Sequence, residues 1–458
     1  TTMNSLFDIS TRSGIRMDKY LQAWSLAIFN QKNLATLPTA ERVKEQQRLA
    51  SSVKKLWKLF NAGRKNLSKH YLEEPEALRA YAASFLIPNV QRVFSIAHSP
   101  ELASHIEELA ESTPTLRVID FGAGPLAAST GIVAALCRNN RVNFEIVAVE
   151  RSLPAYQLGK ELLTSAFSNP ARLSTAMAPS ILKVEGTAHI IVAANVFNEI
   201  PVAHREKTLR GILEKLDDNG IVIILEPGQD VHARDLSTLR NSLLKNPPFP
   251  FRILAPCLHR NKCPLSADSE RTDWCWFQNT WTPPMLLAEL DKYSGLRHEE
   301  LNYSYLVIQK TKLHAQTNAY ARIVSDAIHV GGAQKGASFL KWARTNNLVD
   351  KRNLLKNATT EAVLVKTLLC TENGTLEAAI GENPCGKRGA IVAENDVPCR
   401  CRERTTKEAE LKRPSKDLWT DEHIPQDIEP RSPRSQTKRP TKKPAQSLGK
   451  VKIPKSLH

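Results

Sequence analysis

Residues 255–277, APCLHRNKCPLSADSERTDWCWF, hold three cysteines, one histidine and two tryptophans within 23 positions of a chain that has eight cysteines in all. Cys257, Cys263 and Cys275 follow a C-x5-C-x11-C spacing, and His259 stands two residues after the first. Pro256, Pro264 and the intervening polar residues disfavour helix and strand, which leaves a loop of the kind that wraps an ion. A disulfide would leave one cysteine over and would be unusual in a reducing compartment. Zinc needs four nitrogen or sulfur ligands, and Cys257, His259, Cys263 and Cys275 supply that number. An iron–sulfur cluster wants four thiolates, so Cys370, Cys385, Cys399 or Cys401 would have to fold in from farther along the chain. Neither C-x2-C knuckles nor a ferredoxin run occurs, so spacing alone leans to zinc. Unrelated buried cysteines are the plain alternative.

A second group with chemical potential is Asp120-Phe121-Gly122-Ala123-Gly124-Pro125, which follows a strand and opens a helix. Glycines there let the backbone approach a ligand, and a helix N-terminus favours a carboxylate or phosphate. The next strand ends in Glu150, where a carboxylate can accept from both ribose hydroxyls of a nucleoside cofactor. The dinucleotide spacing G-x-G-x-x-G is absent, because position 127 is Ala. With Asp120 at the strand end, the turn points to S-adenosylmethionine rather than NAD, held by Asp120, Gly122, Gly124 and Glu150. A tight turn without a ligand would use the same residue types.

A third group is Asn195-Val196-Phe197-Asn198-Glu199-Ile200-Pro201. At the end of a central strand it would face a transferred methyl group, so Asn195 and Asn198 are the candidates to orient an acceptor amine. Ordinary strand-to-helix capping also uses Asn and Pro. Glu226-Pro227-Gly228 brings another carboxylate to the same edge. No nucleophile stands out, and Cys137 reads as core.

The elements that must position these groups are legible as a change of period. Residues 15–110 place apolar side chains at three- and four-residue steps, as helices do, with a stop at Asn61-Ala62-Gly63. Lys54, Lys55, Lys58, Arg64, Lys65 and Lys69 make this region either a phosphate-contacting face or simply a solvated one. From residue 115, TLRVIDFGAG, FEIVAVERS, AHIIVAANVFNEI and GIVIILEPG read as four strands separated by helices. That alternation predicts a doubly wound α/β sheet with parallel strands. LNYSYLVIQK would close its edge, and the cysteine stretch is an insertion before it. EAVLVKTLLCTENGTLEAAI reads as a hairpin around Glu372-Asn373-Gly374. The expected organisation is a helical region at 1–110, an α/β domain at 111–312 with an insertion at 250–282, a small β domain at 313–401 and a disordered basic tail at 402–458.

Composition narrows the partners. The net charge of +16 favours an anionic partner, nucleic acid before a membrane surface. Residues 431–458 carry nine Lys/Arg, four Pro and no acidic residue, which cannot bury a core and suits RNA binding. No run reaches the ~18 apolar residues of a spanning helix. The opening TTMNSLFDISTRSG has no apolar h-region, and its lack of presequence character favours bacterial cytosol over the mitochondrial matrix.

DFGAGP, ANVFNEIP, LEPG, ILAPCLHRNKCPL, DWCWFQ and NYSYLVIQK occur in that order. Together they resemble the methyltransferase-like family of small-ribosomal-subunit proteins found in bacteria and in mitochondrial ribosome assembly, over about residues 85–400. The resemblance implies a class I S-adenosylmethionine-dependent methyltransferase (Rossmann-like) domain with a [4Fe–4S] cluster. Cys257, Cys263 and Cys275 carry over as ligands. LVKTLLCTENGTLE matches the motif that supplies the fourth, Cys370, and His259 then lies beside the cluster. Cys399-Arg400-Cys401 has no counterpart in that pattern. The implied function is methyl transfer to rRNA in ribosome assembly, by a chain that binds the small subunit, touches no membrane and is monomeric away from it. A non-catalytic assembly factor with a retained cofactor fold is the alternative, and a zinc-containing small-molecule methyltransferase the further one.

Overall fold

The computed structural model describes residues 15–62, 68, 70–136, 142–266, 273–312, 321–324, 328–331, 364–372, 375–381, 388, 391–392 and 400–402. Cys137, Cys385, Cys399, the turn residues Asn373 and Gly374, and the basic tail beyond Arg402 lie outside the described residues.

Helix formation starts in the amphipathic N-terminal stretch. α1 (Met17–Ile28) buries Met17, Tyr20, Trp24 and Ile28, a stripe at three- and four-residue steps. α2 (Thr39–Ala62) packs on α3 (Pro75–Tyr81), and α4 (Ile87–Ala97) and α5 (Pro100–Ser112) follow. Between α3 and α4 the turn Ala82–Leu86 widens to a π-helix. Pro88 has no N–H to give to the ladder there, which removes the bond that would hold the tighter turn.

The main sheet has eight strands: β1 (Thr115–Phe121), β2 (Asn143–Val149), β3 (Leu173–Ala178), β4 (Ala188–Ala194), β5 (Leu216–Pro227), β6 (Phe251–Ala255), β7 (Phe277–Thr280) and β8 (Glu300–Lys310). Their order is β3-β2-β1-β4-β5-β8-β6, with β7 on β8. β1 to β5 run parallel, and β8 is antiparallel to β5, β6 and β7. This is a doubly wound α/β sheet, with the antiparallel strand β8 between β5 and β6. β3 is a strand that the periodicity did not show, so AHIIVAANVFNEI is the fourth strand rather than the third. The edge strand LSTAMA alternates between partly buried and exposed, and its small residues carry little apolar signal.

α6 (Ala127–Leu136) and α7 (Leu153–Ala166) cover one face of the sheet with the N-terminal helices, in one continuous core. α8 (Val202–Leu213) and α9 (Asp230–Lys245) cover the other. Ile221 to Leu225 of β5 are fully buried between the two layers, which explains their unbroken apolar run. α10 (Met285–Ser294) packs on α2, where the Gln46 amide donates to Glu289 at 2.6 Å.

A second, antiparallel sheet contains β9 (Ala321–Ile323), β10 (Ile328–Gly331), β11 (Leu364–Thr371), β12 (Leu376–Gly381), β13 (Ile391–Val392) and β14 (Arg400–Arg402). Its order is β13-β9-β11-β12-β14, with β10 on β11, and Cys370 stands opposite Leu376. Arg322 joins this sheet to the rest: it donates to the Pro256 carbonyl and pairs with Glu101 at 2.8 Å. No helix among the described residues is long and apolar enough to cross a membrane.

Candidate functional site

The strand order reverses between β1 and β4, and in open α/β sheets ligands bind at that switch point, at the carboxyl ends of the strands. β1 ends there in the glycine turn. Gly122 has φ of +72° and Gly124 +48°, conformations that L side chains rarely adopt. A Cβ on Gly122 would lie 2.5 Å from Val196 Cγ2, so the loop after β4 is packed against it. The corresponding position on Gly124 is open, with only Leu72 Cδ1 at 4.0 Å. Behind the turn, a Cβ on Gly159 of α7 would come within 2.4 Å of the Pro125 carbonyl carbon and oxygen.

The two carboxylates of the turn are held from inside the chain. Asp120 is 1% exposed, and its Oδ2 accepts from the Ser129 amide at 3.0 Å and the Ser129 hydroxyl at 2.7 Å. Burial pushes its pKa up to about 6 against those two hydrogen bonds. Its observed partner is therefore α6, which makes it a support of the turn. Glu150 Oε2 accepts from Gly124 N–H at 2.8 Å, and Oε1 accepts from the amides of Arg151 and Ser152 at 2.7 and 2.8 Å. Three of about four acceptor positions of that carboxylate are thus engaged within the chain.

Across the switch point, Asn195 closes β4 with φ of +57° and donates its amide to the Leu225 carbonyl at 2.7 Å. Glu226 is 2% exposed and accepts from the amides of Phe197 and Asn198 at 2.9 and 3.1 Å. The carboxylate of the LEPG motif therefore clamps the loop that carries Asn195 and Asn198.

These two strand ends form the floor of a cavity of about 530 Å³. One wall is aromatic and comes from the N-terminal helices: Trp57, Phe60, Tyr71, Tyr81 and Phe85. Phe60 meets Phe85 edge-on at 5.0 Å between centroids, and Tyr81 stacks on Phe85 at 5.5 Å. Trp274 and Trp276 of the cysteine stretch also line the cavity, and Asn89, Arg92, Asn195, Asn198, Asn302 and the carboxylates Glu199, Glu226 and Glu300 supply polar groups. The aromatic and arginine lining was not apparent in the sequence, where these residues read as the cores of helices. A cavity of this size, lined by aromatic rings and by polar and charged side chains, suits one flat small molecule or one nucleobase.

The cysteine stretch is fastened by side chains of α9 and by Arg388. Arg240 of α9, 3% exposed, donates to the carbonyls of His259 and Asn261 at 2.7 and 2.9 Å. Asn241 accepts the Cys263 amide at 3.0 Å, and Trp274 donates to Gly228 O at 2.8 Å. Arg388 stacks 4.1 Å over the Trp276 ring. Cys370 Sγ stands 3.4 Å from His259 Nε2. Burial first, then the charges of Cys263, Cys257 and Cys370, raises the Cys275 thiol, and burial first, then Cys257 and Cys263, raises Cys370. Burial, reinforced by the charge of Arg240, lowers His259 to about 4, so its ring is neutral at pH 7. The four thiols share one electrostatic neighbourhood. Among the described residues no group of three or more His, Cys, Asp or Glu side chains stands at the spacing that holds a single metal ion. Cys401 lies on β14.

Among solved structures, magnesium protoporphyrin IX methyltransferase from Synechocystis PCC 6803 with bound S-adenosylmethionine aligns with 52% of this chain and 93% of its own, at 10% identity and a TM-score of 0.32. Precorrin-6y C5,15-methyltransferase from Geobacter metallireducens GS-15 aligns with 46% and 87%, at 12% identity and 0.28. No curated protein sequence matches the chain. A family model, described as mitochondrial small ribosomal subunit Rsm22, matches residues 79–340, which include the glycine turn, the cavity floor and three of the four clustered cysteines. The chain belongs to the Rsm22 family.

Proposed function

We propose that this protein is a methyltransferase-like component of the mitochondrial small ribosomal subunit that binds S-adenosylmethionine and transfers its methyl group to an rRNA base. The observation that carries this reading is the cavity with aromatic lining at the carboxyl ends of β4 and β5, joined to the glycine turn by Val196, which packs on Gly122. The open face of Gly124 is the place for the cofactor, with Glu150 and its one remaining acceptor position toward the ribose. S-adenosylmethionine bound there supplies an electrophilic methyl group. The chain's own work is to stack the acceptor base between its aromatic walls and to orient the base's amine with the Asn195 and Asn198 side chains. Lysines on α2 and in the basic tail contact phosphate, so binding weakens steeply with salt. The family's description moves the compartment from the bacterial cytosol to the mitochondrion. Away from the subunit the chain is monomeric.

Cys257, Cys263, Cys275 and Cys370 hold a [4Fe–4S] cluster in this reading, because four thiols of two segments converge and His259 is placed beside Cys370. The cluster ties the cysteine stretch to the second sheet and so holds Trp274 and Trp276 in the cavity wall. Anaerobic purification with iron and sulfide analysis should find four of each per chain; one zinc and no iron returns the ligand set to Cys257, His259, Cys263 and Cys275.

A second reading, the non-catalytic assembly factor, is favoured by Val196 against Gly122 and by the engagement of Glu150. Incubating immature small subunits with labelled S-adenosylmethionine, with wild type beside Asn195→Ala, separates the two. Label in rRNA that the variant loses supports transfer, and no label with either protein supports the factor.

A further inference from the structure

Arg92 of α4 lines the cavity, where its position is unusual for a cation. Its Nη1 donates to Asn89 Oδ1 at 2.6 Å, while its Nε is buried and has no hydrogen-bond partner. The nearest electrostatic partners are the hydroxyls of Tyr81 and Tyr303, and burial holds both in their neutral form. No carboxylate among the described residues pairs with Arg92, and desolvation lowers its pKa to about 10, which leaves it charged at pH 7. Three carboxylates, Glu199, Glu226 and Glu300, also line the cavity; Glu226 is engaged by the Phe197 and Asn198 amides, and the charge partners of Arg92 are the two tyrosines rather than any of the three. A guanidinium desolvated without a counter-ion costs stability. Arg92 spends that cost facing an open cavity, with its planar fork matched to an oxyanion.

We propose that Arg92 is the oxyanion seat of the cavity, taking the carboxylate or phosphate group of the ligand that enters it. The inference rests on the cavity being a ligand site and adds the chemistry of one end of that ligand. Two sources carry such a group: the α-carboxylate of S-adenosylmethionine and the phosphate of an acceptor nucleotide. Asn89 holds the guanidinium through its Oδ1, and Tyr81 and Tyr303, both neutral, add no charge that would compete for it.

The test uses the full chain, with Arg92→Gln, which removes the charge, and Arg92→Lys, which keeps the charge and loses the fork. Each is titrated calorimetrically with S-adenosylmethionine, its decarboxylated form, adenosine 5′-monophosphate and adenosine. If the ligand end is a carboxylate, wild type binds S-adenosylmethionine on the order of tenfold or more tighter than the decarboxylated form, Arg92→Gln loses that ratio and Arg92→Lys keeps part of it. If it is a phosphate, the same pattern appears between the monophosphate and adenosine. Unchanged ratios in Arg92→Gln overturn the seat while leaving the cavity a ligand site. If wild type binds none of the four probes, the cavity reading fails and takes the seat with it. Thermal unfolding completes the test: Arg92→Gln should melt at or above the wild-type temperature, and melting well below it would make Arg92 a structural residue.

Discussion

The two sides of the sheet's carboxyl edge use their polar groups in opposite ways. At the β1–β2 side, Asp120 is bonded to Ser129, Glu150 to three amides, and Gly122 and Gly159 are in close contact with neighbouring segments. At the β4–β5 side, Glu226 clamps one loop, but Arg92 and a wall of aromatic rings face open volume. One side is a scaffold whose interactions are satisfied within the chain, and the other leaves the Arg92 Nε and a set of aromatic rings at an open cavity. Substitutions on the first side should therefore register in stability, and those on the second in binding.

The strongest test of the contrast is Gly159→Ala. Its methyl would meet backbone of Pro125 at 2.4 Å, which no rotamer relieves, so about 3 kcal/mol of stability should be lost in urea unfolding. A loss below about 1 kcal/mol would show that the glycine turn is not rigidly backed. Next in size is Glu226→Gln. Two amides would lose a charged acceptor, which costs about 2 kcal/mol, and hydrogen exchange at Phe197 and Asn198 should speed up while Asn195 and β5 stay protected. Uniform loss of protection would mean that the clamp serves the whole sheet.

Trp57→Ala sharpens the other half of the contrast. Trp57 is 42% exposed on the cavity rim, so its removal should change stability by no more than about 0.5 kcal/mol. Stacking of a bound base should weaken by about 1–2 kcal/mol, read as roughly a tenfold rise in Kd for single-stranded RNA. The smallest effect is the pH response of Asp120. Its folded pKa, about 6, lies above the ordinary 3.8, so the folded state binds the proton more tightly than the unfolded state. The associated stability is fully present below pH 3.8 and is lost as pH rises through about 6. Asp120→Asn should flatten that part of the stability profile; an unchanged slope would assign it to another group.

How far the sequence revealed this arrangement depended on the physical origin of each signal. β1, β2, β4, β5 and β8 are buried on both faces and announce themselves as apolar runs. LSTAMA is half-exposed, and FRILA and FQNT are five- and four-residue segments inside the cysteine insertion, too short to carry a period. At the site, glycine spacing and terminal carboxylates were visible because special backbone geometry restricts residue choice. The direction of a carboxylate is not so encoded: Asp120 turned inward to Ser129. The aromatic wall was invisible for a different reason. Phe60, Tyr81 and Phe85 satisfy a helical stripe whether they face a core or a cavity, and only tertiary packing decides which. Cys370 came from resemblance to a family motif, since nothing in its spacing from Cys275 marks it.

The position of β8 has a temporal consequence. It is inserted between β5 and β6 although it is the last strand of the sheet to leave the ribosome. During synthesis β5 ends at Pro227 and β8 at Lys310, so at about 5–20 residues per second the apolar edge of β5 waits roughly four to seventeen seconds for its partner. In that interval the nascent chain presents an unpaired strand edge of fully buried character, the kind of surface that chaperones hold and that otherwise aggregates. Trp274 and Trp276 of the cavity lining emerge within the same interval, so the cavity and the protection of that edge are completed together.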